Sequence, residues 1–211
     1  FSNISLDQFK SIKINQALKH PNWKMGKKIS IDSATMMNKI FEIIEAKKIF
    51  NLNYNNISII IHPKSYVHSI IKFTNGLIKI IAHDTDMKIP IYNSLYPNEK
   101  KIILKSSKID FKKLNNLDFS RVNNQRFPSV KILSLLPREN SLFETIVVSI
   151  NDELVNSFLK KDIKFNDIAK KLINFLGKTE FKKYKLIKPK NMQQILQLNK
   201  YVRFKFNLKS I

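Results

Sequence analysis

The chain has no cysteine, only three glycines and a single tryptophan among its 211 residues. Without cysteine there are no disulfides and no thiolate chemistry, so any metal must be held by histidines and carboxylates. Three scattered glycines cannot build a Gly-x-Gly-x-x-Gly turn, which excludes that dinucleotide fingerprint from these residues. No apolar run reaches the roughly 18 residues that a membrane-spanning helix requires. Acidic residues are scarce as well: 16 Asp and Glu stand against 38 Lys and Arg, a net charge of +22. Such a charge suggests nucleic acid or an anionic surface as partner. Lys, Asn and Ile are nevertheless abundant throughout, apart from a local Lys182–Lys190 cluster, as drift in an AT-rich genome produces. We take that second reading and expect no membrane and no specific nucleic acid. The first residue is Phe1 rather than Met, which suggests a processed product or a fragment.

Several regular elements are legible. Residues 5–18 contain a short amphipathic helix candidate, with Ser5 or Asp7 as cap, and Ser30 to Phe50 reads as one long helix capped by Asp32 or Ser33. The period then changes to that of strands at 57–62, 67–73 and 77–83. Asn75-Gly76 marks a hairpin turn, because both residues tolerate positive φ. One helix followed by three strands predicts a layer with the helix over a sheet. Helical spacing returns at 128–136, 144–161, 165–177 and 191–206, with Asn166 or Asp167 as an N-cap and Gly177 as a C-terminal stop. The expected fold is therefore an α/β (α+β) catalytic portion at 1–96, a linker at 97–125 and an all-α helical bundle at 126–211.

Chemistry concentrates in HPNWKMGKKISIDSATMMNK, residues 20–39, and the helix that follows. Asn38 and Glu42 are four apart and Lys39 is three before Glu42, so an amide, an ammonium and a carboxylate share a helix face. With Ser33 and the helix-start N–H groups, that face suits a phosphorylated polyol, and Glu42 suits one bond to a hard divalent cation. The bland alternative is a solvated face whose Lys39–Glu42 pair contributes little. Trp23 beside Gly26 in a polar loop favours a lid and its hinge over a core aromatic.

These residues also carry a family resemblance. HPNWKMGKKISIDSATMMNK with IFEIIEA resembles the hallmark segment of the 1-deoxy-D-xylulose 5-phosphate reductoisomerase family. IHPKSYVHSIIKFTNG and TDMKIPI resemble its next blocks, and RFPSVKI and NDEL its C-terminal helical motifs. The resemblance implies isomerisation of 1-deoxy-D-xylulose 5-phosphate and NADPH-dependent reduction to 2-C-methyl-D-erythritol 4-phosphate in the non-mevalonate isoprenoid pathway. It implies Mg²⁺, Mn²⁺ or Co²⁺ as the divalent metal, a homodimer, and a cytoplasmic enzyme, or one in a plastid or apicoplast. By the same resemblance, His20 contacts substrate, Trp23 covers it, and Ser33, Asn38 and Lys39 hold its phosphate and hydroxyls. Glu42 is implied to bind metal and substrate, Met25, Gly26 and Met87 to lie at the cofactor, and His68 to belong to the active-site region.

Some residues depart from the family pattern. Ile40 stands where glycine is usual and threatens crowding beside Glu42, and HDTDM and YPNEK replace more usual segments. The family's dinucleotide domain, its other two metal carboxylates and a Ser-Gly-Gly loop precede the point matching Phe1, so the expectation is a chain inactive by itself. A zinc site at His62 and His68 would need further ligands; His62 reads better as a strand-end structural residue. Two other readings stay open at this point: a basic nucleic-acid-binding module, and a degenerate, non-catalytic relative.

Overall fold

A computed structural model describes residues 4–19, 25–98 and 109–208. In chain order these form a 3-10 turn at Asp7–Ser11, then α1 (Ile14–Ala17), α2 (Lys27–Thr35) and α3 (Met37–Phe50). After a turn at Tyr54–Asn56 come β1 (Ile60–Ile61), β2 (Val67–Lys72), β3 (Ile78–Ala82), α4 (Lys88–Leu95), α5 (Phe111–Leu114) and β4 (Ser120–Arg121). The rest is helical: a 3-10 stretch at Pro128–Leu135, α6 (Phe143–Leu159), α7 (Phe165–Leu176), α8 (Thr179–Lys182), a 3-10 turn at Lys183–Leu186 and α9 (Met192–Asn207). The described residues fall into two compact units, one of 4–19, 25–59 and 122–208, the other of 60–98 and 109–121.

In the first unit α6 is the central element, packed against α7 and α9. Its residues Phe143, Ile146, Val147, Ile150, Leu154, Val155 and Phe158 are all buried, which is wider than a single amphipathic stripe and demands neighbours on several sides. Phe9 meets Phe127 and Phe165 with ring centroids 6.2 Å apart in each pair, which ties the N-terminal turn to this core. The sequence grouped residues 30–50 with the strands, whereas here they cluster with the C-terminal helices. Met37, Ile40, Ile43 and Ile44 form a buried stripe at helical spacing, and α3 lays it beside Pro128–Leu135 while α2 packs on α6.

The single helix expected over Ser30–Phe50 is two. Met36 takes a left-handed conformation, φ 65°, and separates α2 from α3. Neither glycine nor proline marks the break; Thr35 supports it by turning its hydroxyl back onto the carbonyls of Ile31 and Asp32. Asp32 and Ser33 consequently lie in the last turn of α2 and cap nothing. Caps elsewhere also differ from expectation. Lys164 is the N-cap of α7, with the Asp167 carboxylate accepting from its backbone N–H at 3.0 Å. Gly177 ends α7 at φ −73°, a conformation that does not need glycine. Residues 128–135 are 3-10 rather than α-helical.

In the second unit β2 and β3 form the expected antiparallel hairpin, from Val67↔Ala82 to Lys72↔Ile78. Gly76 sits at φ 88° in its turn, where Phe73 N–H donates to Leu77 O at 2.9 Å. The third strand does not join this hairpin. Only Ile60 and Ile61 of 57–62 are extended in a ladder, and they pair with Arg121 and Ser120 of β4. Ile70, Ile71, Ile78, Ile80 and Ile81 of the hairpin are exposed.

Two measurements test the packing of the first unit. The Tyr54 hydroxyl is buried without a hydrogen-bond partner, and burial, helped by the Glu144 charge, pushes its phenol up to about 12. An unfolded tyrosine releases its proton near pH 10, so stability is lost as pH rises from 10 through 12. A tyrosinate absorbance titration is expected to show one late step that Tyr54→Phe removes, at little cost in stability because no hydrogen bond is lost. Ile40→Ala should lower stability by about 2–5 kcal/mol in denaturant melts, the range for emptying a buried aliphatic site.

Candidate active site

Met25 and Gly26 lead into α2, where Gly26 is the N-cap in an extended conformation, φ −63° and ψ 162°. An added Cβ would meet nothing within 4 Å, so the backbone found here does not call for glycine as the hinge reading did. His20 and Trp23 lie outside the described residues. Ser33 is half-buried near the end of α2, and the Met36 N–H donates to its carbonyl at 3.2 Å. One residue after that turn α3 begins, a fourteen-residue helix whose N-terminal end carries positive partial charge. The break thus sets Ser33 at the end of one helix and Asn38 and Lys39 in the first turn of the next.

Within α3 the expected face is present. Lys39 Nζ donates to both Glu42 oxygens, at 2.9 and 2.8 Å, and both side chains remain solvent-accessible. Asn38 is half-buried, and its Oδ1 is a buried acceptor with no hydrogen-bond partner. An unmet acceptor beside an ammonium and a carboxylate suits a ligand that brings hydroxyl donors and negative charge together. Ile40, fully buried, projects into the core, so the crowding expected beside Glu42 does not arise.

A set of polar residues lies under α2, of which sequence reasoning read Asp32 as a cap and Asn151-Asp152-Glu153 as part of a family motif, and gave Lys28, Asn199 and Arg203 no role. Asp32 is 2% exposed. Its Oδ1 accepts from Asn151 Nδ2 at 2.7 Å and its Oδ2 from Lys28 Nζ at 2.6 Å. Lys28 also pairs with Asp152 Oδ1 at 3.1 Å. From α9, Arg203 reaches Asp152 at 2.7 Å and Glu153 at 2.5 Å, and its Nε donates to Asn199 at 2.9 Å. Burial works against the charges of Lys28 and Arg203, but the carboxylate bonds outweigh it and raise both pKa values above their ordinary ones. The available signal was Asn151-Asp152-Glu153 following the apolar run of a helix with a wide buried face, where unpaired polar groups would be costly.

In the second unit Met87 is the exposed N-cap of α4. His68 stacks on His83, centroids 3.7 Å apart, and its Nε2 lies 3.1 Å from the His83 carbonyl. His62 bonds through Nδ1 to the Asp118 carbonyl at 3.0 Å beside the β1–β4 ladder, a structural placement. Among the described residues no three His, Asp or Glu side chains gather as a metal site. Glu42 therefore offers one ligand and cannot hold a cation alone.

Comparison with known proteins identifies the family. Residues 1–50 match the 1-deoxy-D-xylulose 5-phosphate reductoisomerase C-terminal domain, and residues 83–205 match the DXP reductoisomerase C-terminal domain. A 1-deoxy-D-xylulose 5-phosphate reductoisomerase from Pelagibacter ubique is 58% identical over 211 residues, covering 100% of this chain and 54% of that protein. One from a Sulfurihydrogenibium species is 38% identical over 183 residues, covering 87% and 48%. A crystal structure of DOX-P reductoisomerase in complex with NADPH, fosmidomycin and magnesium superimposes with a TM-score of 0.88 at 31% identity, covering 99% of this chain and 52% of that one. The chain spans about half the length of the curated relatives it matches. By sequence and by fold, the chain belongs to the 1-deoxy-D-xylulose 5-phosphate reductoisomerase family and carries its C-terminal domains.

Proposed function

We propose that this chain provides the sugar-phosphate-holding and supporting part of a reductoisomerase. The whole protein would isomerise 1-deoxy-D-xylulose 5-phosphate and reduce the product with NADPH to 2-C-methyl-D-erythritol 4-phosphate. The observation that carries the reading is the face of α3, where the unpartnered Asn38 acceptor adjoins the Lys39–Glu42 pair. Ser33, Asn38 and Lys39 would hold phosphate and hydroxyl groups, the ammonium contributing charge-assisted bonds. Substrate binding then requires Lys39 to leave Glu42, which frees that carboxylate for the substrate side and for one bond to a divalent cation. The described residues do not complete a metal site, so Glu42 would be one ligand of a set that other carboxylates complete.

Met25, Gly26 and Met87 are assigned to the NADPH side, and His20 and Trp23 to a loop that covers the substrate and keeps water out. The solved relative containing NADPH and magnesium supports these cofactors. We assign 1–96 the catalytic contribution and 126–211 the supporting bundle, a division by role. We assign a cytoplasmic location, with a plastid or apicoplast as the alternative that the apicoplastic Plasmodium falciparum relative illustrates, and a homodimer from the family resemblance, with the exposed isoleucines of the β2–β3 hairpin as apolar surface for assembly.

The test uses the full-length protein. It should oxidise NADPH when given 1-deoxy-D-xylulose 5-phosphate and Mg²⁺, and Glu42→Gln should remove most of that activity. Unchanged turnover in Glu42→Gln would overturn the role of Glu42, and a full-length protein without the reaction would overturn the reading itself. Lys39→Met should raise KM for the sugar phosphate by on the order of tenfold or more, as loss of a charge-assisted bond predicts.

A further inference from the structure

We infer that Asn151 of α6 and Arg203 of α9 are positioning residues for the anion site: their network with Asp32 fixes the orientation of α2 and so places Ser33. The inference rests on the assignment of Ser33 to the phosphate under the proposed function and goes beyond it, since neither residue touches that face.

α2 is held weakly by apolar contact. Of its buried residues only Ile31 and Ala34 are apolar, while Ser30, Asp32 and Thr35 are polar. Apolar burial is non-directional, so one isoleucine and one alanine do not by themselves fix the rotation of a nine-residue helix about its axis. Hydrogen bonds to both oxygens of one carboxylate define it. Asp32 supplies that carboxylate immediately before Ser33, with Asn151 at 2.7 Å on one oxygen and Lys28 at 2.6 Å on the other.

Asn151 is fully buried, and so can act on α2 only through Asp32 or through packing. Asp152, next along α6, holds Lys28 at 3.1 Å and is itself held by Arg203 at 2.7 Å. Arg203 is fixed in turn by Asn199, whose amide donates to Ser149 Oγ at 2.7 Å. α9 therefore supports α6, α6 supports α2, and Ser33 takes its place from both. The neutral amide at 151 matters: a second carboxylate there would face Asp32 and repel it. Hydrogen bonds weaken steeply with distance and angle, so a slack α2 would be felt as weaker binding at the phosphate.

The experiment is an exchange cycle in the full-length protein, comparing Asp32→Asn, Asn151→Asp and the double exchange, with Arg203→Gln as a distant arm. The primary readout is calorimetric affinity for inorganic phosphate, which does not depend on turnover; KM and kcat for the sugar phosphate are read alongside. Each single exchange should weaken phosphate binding and raise KM by about tenfold, with kcat changed less than about threefold. The double exchange, which again sets one carboxylate against one amide, should recover most of both losses, and Arg203→Gln should move them in the same direction by a smaller factor. Folded variants that lose thermal stability but keep phosphate affinity and KM would make the network merely structural and overturn the inference. If the buried exchanges do not fold, the half-exposed Arg203→Gln decides, and unchanged affinity overturns the inference. Phosphate binding without turnover in the wild type would count against the proposed reaction alone.

Discussion

Asp32 is a carboxylate inside a helix, out of water, and a carboxylate in that place needs a donor on each oxygen. It has them in Asn151 and Lys28, one from the facing helix and one from its own. The rest of the first unit can be traced outward from that pair. Because α2 is pinned through Asp32, its buried side faces α6. Because α6 is surrounded by α2, α7 and α9, it can be apolar on most of its circumference and still carry Asn-Asp-Glu at one place.

The left-handed residue at Met36 is the second constraint. A continuous helix over 30–50 would carry Ser33 and Glu42 on one rigid rod at fixed separation. The break puts them on separate helices. α2 answers to the ionic network beneath it, whereas α3 answers to its buried stripe Met37, Ile40, Ile43 and Ile44. Each helix is thus oriented by different forces, directional bonds for one and close packing for the other.

Much of this was legible in the sequence, and for physical reasons. The helices of 143–207 announce themselves by apolar spacing, and Asn75-Gly76 announces its hairpin because a tight turn has few other solutions. The face of Asn38, Lys39 and Glu42 follows from spacing alone, since i, i+3 and i+4 neighbours must meet on a helix. What escaped was whatever depends on distant partners. Asp32 has the composition of an N-cap and looks like one until Asn151 is brought to it across 119 positions. Met36 lacks the glycine that usually signals a positive φ, so the break has no local mark. The short β1 strand reads as part of a sheet, and only the arrival of Ser120 and Arg121 shows which ladder it joins.

The span between Asp32 and Asn151 has a consequence in time. On a ribosome moving at ~5–20 residues per second, the partner of Asp32 is made on the order of ten seconds after Asp32 itself. Arg203, on the last helix, follows later still. During synthesis α2 can form with Lys28 on one oxygen of Asp32, and water must serve the other until α6 arrives. Ser33, next to Asp32 in the chain, is therefore made well before the partner that sets it in place.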